Sequence, residues 1–296
     1  MTDTAGKPTR VVDAHVHLWD PARTDWYPYL WQPAQRGEEG MKAGGGSGMF
    51  RLFDVDTYRA ESARWNVEKF VNVAAATGPH SVDETLELDR LATDRGGPTA
   101  IIGGLPPTET VAEAVALLDR QMEASRFRGV RPMGPLENPV PDDAVLRALR
   151  DRQLVFELMA HPDQLQAAAA RLAAFSDLTV VVEHTGWPLN NSDEEHTLWR
   201  KGIAALAGLG EHVVCKLSGL SMPFGTMAAG TLRPWLEWAL EMFGTRRCMF
   251  ASNFPVDSAA GSFDDLYTTF SAVTSGLNPG AREEVFALTA ERVYRI

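Results

Sequence analysis

Eight short apolar segments alternate with longer segments of helical periodicity along the 296-residue chain. This alternation is typical of a parallel sheet whose strands are joined by helices, and eight strands make a closed barrel the simplest arrangement. We therefore expect an α/β fold, a single (β/α)8 TIM barrel with its functional site at the carboxyl ends of the strands. The predicted strands are 11–16, 69–74, 100–105, 129–131, 155–159, 179–183, 213–217 and 248–251.

The segments between the strands carry apolar residues at helical spacing, and several begin with Asp, Ser, Thr or Pro, as helices do. The length suits one barrel, and no internal repeat or domain boundary is visible. We predict one domain over residues 1–296, with a flexible tail at 1–10. The predicted helices are 83–95, 110–125, 142–152, 162–174, 198–208, 231–242 and 279–292.

The connection between the first two strands is much longer than the others. It spans residues 20–54 and contains a glycine-rich run at 44–48, and it is too long for an ordinary loop of a barrel. We expect a long aromatic loop over the active site, with Trp19 and Trp26 among its substrate-binding residues; an aromatic plug without ligand contact is the alternative. The aromatic residues at and after the start of this loop are Trp19, Trp26, Tyr27, Tyr29 and Trp31.

Charge and cysteine content limit the partners that the chain can have. The formal net charge of −11 disfavours a nucleic-acid or anionic-membrane surface. Cys215 and Cys248 lie in apolar segments, as small core residues do, and no apolar stretch is long enough to span a membrane. We expect a cytoplasmic protein that acts on a small molecule, with no nucleic-acid or membrane partner; a homo-oligomer remains open.

The motif Asp13-Ala-His15-Val-His17 gives the strongest chemical signal. Side chains alternate along a strand, so His15 and His17 should share a face with their Cα atoms about 6.6 Å apart. Two imidazoles at that separation can reach one metal ion or one substrate group. Asp13 should share that face, one layer deeper.

Four segments together resemble the amidohydrolase superfamily, and most closely its branch of sugar-lactone and pyrone-dicarboxylate lactonases. The resemblance extends over nearly the whole chain and implies a TIM barrel in which His15 and His17 from the first strand and His184 from a later strand form the site. Three histidines and a water can form a zinc shell, so we expect a divalent metal, zinc most of all, although metal use varies within this branch. The segments are Asp-Ala-His-Val-His-Leu-Trp-Asp, Val-Val-Val-Glu-His-Thr-Gly-Trp-Pro, Val-Cys-Lys-Leu-Ser-Gly-Leu and Phe-Ala-Ser-Asn-Phe-Pro-Val-Asp.

The chain departs from the family pattern at Asn253, where the resemblance implies the aspartate that activates water. An amide cannot accept a proton at physiological pH, so Asn253 can orient water or contribute an oxygen ligand but cannot be the general base. We predict His161, at the mouth of the fifth strand, as a candidate base. Asp257 could curl back over the pocket, although such a residue more often caps a turn.

Several further charged residues have predicted positions. Glu157 should face the barrel interior and pair with Arg131 or Lys216, because a buried charge needs a partner. The resemblance implies that Arg131 holds a substrate carboxylate or carbonyl, and Lys216 either contacts the ligand or neutralises Glu157. Glu183 precedes His184, so alternation should turn it away from the site and towards a helix.

We expect a hydrolase of a small cyclic ester or a related polar acyl compound. Its water would be activated by the cluster of His15, His17 and His184, which are also the predicted metal ligands. The absence of a carboxylate at Asn253 favours one alternative, a metal-dependent decarboxylase or another non-hydrolytic lyase or cyclase. A binding protein that kept the barrel and lost turnover is a third possibility.

Overall fold

The predicted barrel is confirmed. The computed structural model describes residues 6–31, 49–133 and 137–296, and within these ranges eight parallel strands pair in chain order from β1 to β8. Contacts between β1 and the segment after β8 close the sheet: the His17 amide donates to the Phe254 carbonyl (2.8 Å) and the Asn253 amide to that of His15 (2.8 Å). The strands are β1 Val11–Val16, β2 Val67–Val73, β3 Ala100–Leu105, β4 Phe127–Pro132, β5 Val155–Leu158, β6 Val180–Val182, β7 Val213–Leu217 and β8 Cys248–Phe250.

Helices surround the sheet and lie between successive strands. The helices that begin where the sequence predicted have the expected N-terminal caps. An example is the reciprocal capping box of Thr110 and Glu113. The 279–292 segment is interrupted by a π-helical turn, Glu284–Leu288. The helices are α1 Pro28–Trp31, α2 Val55–Ser62, α3 His80–Arg95, α4 Val111–Gln121, α5 Asp143–Asp151, α6 Leu165–Leu172, α7 Asp193–Ala207, α8 Ser221–Phe224, α9 Ala229–Phe243, α10 Phe263–Val273, α11 Pro279–Glu283 and α12 Thr289–Tyr294.

Two helices of substantial length, α2 and α10, were not among the predicted elements. Both begin with a cap that the sequence contains: Asp54 accepts from the Thr57 amide, and Ser262 forms a capping box with Asp265. No helix in the described ranges is long and apolar enough to cross a membrane. Residues 1–5 of the predicted tail and residues 32–48 of the predicted 20–54 loop, with its glycine run, lie outside the described residues.

The barrel interior has an apolar floor and a charged layer above it. Alternation along the strands accounts for the order, because the residue two positions beyond each inward apolar residue also points inward. Val155 and Val181 belong to the floor, and Glu157 and Glu183 follow them; Val214 is likewise followed by Lys216. The charged layer, formed with Arg131 of β4, therefore lies at the carboxyl ends of β4–β7, where active sites of such barrels occur.

A β-bulge in β1 changes the predicted orientation of Asp13. Asp13 pairs with Phe70 and Val16 with Asn72, so three steps along β1 oppose two along β2. The extra residue reverses the alternation. Asp13 therefore points outward and accepts hydrogen bonds from the Tyr58 hydroxyl (2.9 Å) and the Ser252 amide (2.8 Å). The prediction that it shares the face of the histidines is wrong.

Candidate active site

The two histidines of β1 lie side by side at the centre of the barrel mouth. The Nε2 atoms of His15 and His17 are 3.1 Å apart, and both side chains are buried. His17 Nδ1 lies 2.8 Å from the Val73 carbonyl, which can only accept, so Nδ1 carries the proton and Nε2 keeps its lone pair. His15 Nε2 is therefore the donor in the contact between the two rings.

His184 reaches the same centre through an unusual backbone. It lies two residues after the end of β6 and has φ 51° and ψ 38°, a left-handed conformation that Thr185 also adopts. This turn directs the imidazole towards His15, with 4.7 Å between the ring centroids. His184 Nδ1 lies 3.2 Å from the Ser218 hydroxyl, which fixes the ring and leaves Nε2 directed to the site.

Gly219 makes room for this ring, because a Cβ there would lie 2.5 Å from His184 Cγ and Nδ1. We expect Gly219→Ala to displace His184 and to lower kcat by about tenfold or more, since small misplacements of reacting groups are costly. Gly225 is a matched control: it also has a positive φ, of 62°, but nothing lies within 4 Å of an added Cβ. Both alanine variants should lose about 1–2 kcal/mol of stability from the left-handed backbone. Equal kcat for the two variants would contradict the proposed packing role.

The structure overturns the prediction that Glu183 points away from the site. Glu183 continues the inward alternation of β6, and the left-handed turn brings His184 to the same side. The Glu183 carboxylate is fully buried and accepts a hydrogen bond from Arg131 Nη1 at 3.3 Å. It also lies 3.8 Å from both His15 Nδ1 and His184 Nε2. Burial alone would raise the pKa of Glu183, but the Arg131 and neighbouring positive charges outweigh burial and hold this pKa below its usual range.

A second buried carboxyl lies beside Glu183. Glu157 accepts from Lys216 Nζ (2.5 Å) and from the Tyr294 hydroxyl (2.7 Å), and Lys216 Nζ is also 3.4 Å from His15 Nδ1. Burial raises the pKa of Glu157, Lys216 opposes this change and the charge of Glu183 adds to it. The predicted pairing of Glu157 with Lys216 is thus present, and Lys216 lies inside the site with all its side chain buried.

The three imidazoles are neutral at physiological pH. Burial lowers the pKa of His17 to about 3, with the Arg131 charge as the next cause, and lowers that of His184 to about 4. Burial and the Lys216 charge lower the pKa of His15 well below its usual value. Neutral imidazoles are the form that binds metal ions and accepts protons.

The remaining candidate residues lie at different distances from this centre. Trp19 stacks on His17, with 5.7 Å between centroids and 5° between planes, whereas Trp26 stacks on His80. Trp19 and Trp26 line a cavity of about 340 Å³ beside α3. His161 contacts Trp187, with Nδ1 3.2 Å from its carbonyl oxygen, and Trp187 in turn contacts His184. His161 is thus placed at the rim rather than in the cluster.

Arg131 and Asn253 are both engaged by protein groups. Besides Glu183, Arg131 donates from Nη2 to the Ala74 carbonyl (2.5 Å), so its substrate-binding role stays a prediction. Asn253 has φ 57° and donates from Nδ2 to Asp257 Oδ1 (3.2 Å). Asp257 therefore folds back to contact Asn253, as one of the two sequence-based alternatives expected. Burial raises the pKa of Asp257 to about 7.

Within the described ranges, His15, Glu183 and His184 each offer a metal-ligand atom, and these atoms lie within 4.8 Å of one another. The sequence-based prediction placed Glu183 outside the site and did not identify Tyr294. Counting alternate positions from the apolar Val181 would have placed Glu183 inside. The Tyr294 contact joins residues 137 positions apart and has no local signal.

Comparison with known proteins agrees with this geometry. The model of the amidohydrolase family matches residues 12–296. An L-fucono-1,5-lactonase of Burkholderia ambifaria is 28% identical, over 96% of this chain and 95% of its own. The structure of an amidohydrolase from Burkholderia multivorans with bound zinc is 27% identical, with a TM-score of 0.78 over 97% of this chain and 100% of that one.

A 5-carboxyvanillate decarboxylase from Sphingomonas paucimobilis shares the fold alone, at 16% identity and a TM-score of 0.63 over 97% of this chain and 99% of its own. The family match covers nearly the whole chain and includes all the residues of the charged layer and of the histidine cluster. The chain therefore belongs to the amidohydrolase family and is a hydrolase of the amidohydrolase superfamily.

Proposed function

We propose that this enzyme hydrolyses a small lactone with a divalent cation, zinc by preference, held by His15 and His17, while His184 keeps its Nε2 lone pair for proton transfer. The observation that carries the proposal is the pair of Nε2 atoms 3.1 Å apart, in which His17 is fixed by the Val73 carbonyl. A carbonyl that holds the other nitrogen of a histidine is the usual support of a metal-binding imidazole. The lactonase name of the Burkholderia ambifaria relative supports the substrate class.

The donor set fits zinc. Two nitrogens bound to one tetrahedral zinc at about 2.0–2.1 Å are about 3.3 Å apart, close to the separation of the two Nε2 atoms. Neutral imidazoles need lose no charge to bind, and the Glu183 carboxylate supplies negative charge beside them. A bound zinc ion would polarise the lactone carbonyl and acidify water.

The chain's own residues perform the remaining tasks. In the hydrolysis, the oxygen of water bonds to the carbonyl carbon, the ring C–O bond breaks, and a proton of the water ends on the departing oxygen. We assign the transfer of that proton to neutral His184, whose Nε2 faces the site while Ser218 holds Nδ1. Trp19, packed on His17, excludes water from one side.

A substrate panel tests the proposal. Sugar 1,5-lactones and 1,4-lactones should release acid, measured with a pH indicator, whereas unsaturated and aromatic carboxylic acids should release no carbon dioxide. Metal analysis of the purified protein should find up to one zinc per chain, and dialysis against a chelator should remove the activity, which zinc restores. Carbon dioxide release without lactone opening would overturn the proposal in favour of a decarboxylase.

Asn253 is the observation that favours the alternative, non-hydrolytic reaction. If the enzyme is a lactonase in which Asn253 orients water, we expect Asn253→Asp to keep native turnover and to bind zinc more tightly, because a carboxylate adds an anionic ligand. If the reaction has changed, the same substitution should lower native turnover and create lactone hydrolysis, since a proton acceptor is supplied. Native turnover, lactonase turnover and zinc content of both proteins distinguish these outcomes. No change in any of them would place Asn253 outside the site.

A further inference from the structure

Glu183 has an unused hydrogen-bond acceptor at the centre of the site. Its Oε2 atom receives Arg131 Nη1, whereas the buried Oε1 has no hydrogen-bond donor among the described residues. The neighbouring Glu157 carboxyl also interacts with Glu183, but Lys216 and Tyr294 already hold that carboxyl. An acceptor left in this state is costly and indicates a partner that another state of the site provides. The nearest imidazole nitrogen to Oε1 is His15 Nδ1, at 3.8 Å.

The proton of His15 is on the wrong nitrogen for metal binding. In the observed arrangement Lys216 Nζ lies 3.4 Å from His15 Nδ1, and His15 Nε2 donates to His17 Nε2. Two Nε2 atoms can bind one cation only when both are unprotonated. Since the proton of His17 is already on Nδ1, His15 must carry its own proton on Nδ1 as well.

Lys216 cannot receive that proton in a hydrogen bond, because an ammonium group only donates, and it is held by Glu157. Oε1 of Glu183 can accept a hydrogen bond from His15 Nδ1–H. A shift of less than about 1 Å would bring Oε1 within ordinary hydrogen-bond distance of His15 Nδ1. Arg131 anchors the other carboxylate oxygen, so the group is oriented for this contact.

We propose that Glu183 is a positioning residue whose Oε1 accepts a hydrogen bond from His15 Nδ1–H, and so stabilises the tautomer in which His15 Nε2 can bind the cation together with His17. The inference rests on the proposed metal-assisted function. Asn253, after β8, supplies no negative charge to the site. On this basis Glu183, after β6, supplies that charge, and it acts through His15 rather than on the reacting water.

The first test measures zinc affinity by competition with a chromogenic chelator. Glu183→Gln should weaken zinc binding by about ten- to hundredfold, as loss of an orienting partner of a ligand does. Glu84→Gln is the control, because Glu84 is also a buried carboxyl but accepts from Tyr27 and from the Ala75 and Ala76 amides, outside the site. It should bind zinc within about twofold of the wild type. A folded Glu183→Gln protein with wild-type zinc affinity overturns the inference.

The second test needs no variant and remains valid if Glu183→Gln does not fold. In protein labelled with 15N-histidine, the His15 ring should change from the Nε2-protonated to the Nδ1-protonated tautomer when zinc is added, while His17 stays Nδ1-protonated. An unchanged His15 tautomer in zinc-loaded protein overturns the role of Glu183 but leaves lactone hydrolysis standing. Wild-type protein that takes up no zinc overturns both the metal assignment and this inference.

Discussion

Lys216→Met should lower the free energy of unfolding by about 3–5 kcal/mol, because removal of one partner of a buried ion pair leaves the other charge without compensation. The pair is fully buried: Lys216 and Glu157 have no exposed side-chain surface and are 2.5 Å apart. Chemical denaturation measures the loss, and the melting temperature should fall by about 10 °C. Arg233→Met is the control, since Arg233 and Glu237 form an exposed pair on α9 worth less than about 1 kcal/mol.

The double variant Lys216→Met with Glu157→Gln separates charge from packing. A neutral amide at position 157 can still accept from Tyr294, so most of the lost stability should return. A Lys216→Met protein as stable as the wild type would mean that the interior of the barrel already holds Glu157 in its protonated form.

His17→Ala should reduce kcat/KM for the lactone substrate by about 10²–10⁴-fold, the range expected when a reacting or metal-binding group is removed. Bound zinc should fall at the same time, because one of the two close Nε2 atoms is lost. His212→Ala is the control: His212 directly precedes β7, at the end of the barrel opposite to the site. His17→Ala with unchanged zinc content but reduced turnover would assign His17 to substrate binding instead.

The order and type of the strands could be predicted because each is a short apolar segment between turn residues, and the boundaries of three of them agree to the residue. The helix α2 was missed because it carries few apolar residues, and α10 was missed although its buried apolar residues are spaced as in a helix; the caps at Asp54 and Ser262 mark the start of each. Local propensity and alternation therefore account for most of the barrel.

The site was less predictable, because alternation fails where a strand bends. The sequence suggested that His184 faces inward and that its neighbour Glu183 faces outward, but a left-handed turn brings both to the same centre. The partner of Glu157 could be narrowed to Arg131 or Lys216 from charge alone, whereas the choice of Lys216 and the contact with Tyr294 depend on tertiary packing. Nothing local in the chain encodes such contacts.

The bulge in β1 limits how the histidine pair can be transferred to another protein by design. Between Asp13 and Val16 the strand carries one residue more than its neighbour, and this surplus directs His15 and His17 inward while Asp13 ties the strand to the outer helices. A graft of the five-residue motif onto a regular strand would keep the spacing but lose this reversal, so one of the two functions would face the wrong side. A recipient scaffold therefore needs three things: the side chains of the motif, the extra residue in the strand, and a hydroxyl that donates to the aspartate as Tyr58 does to Asp13.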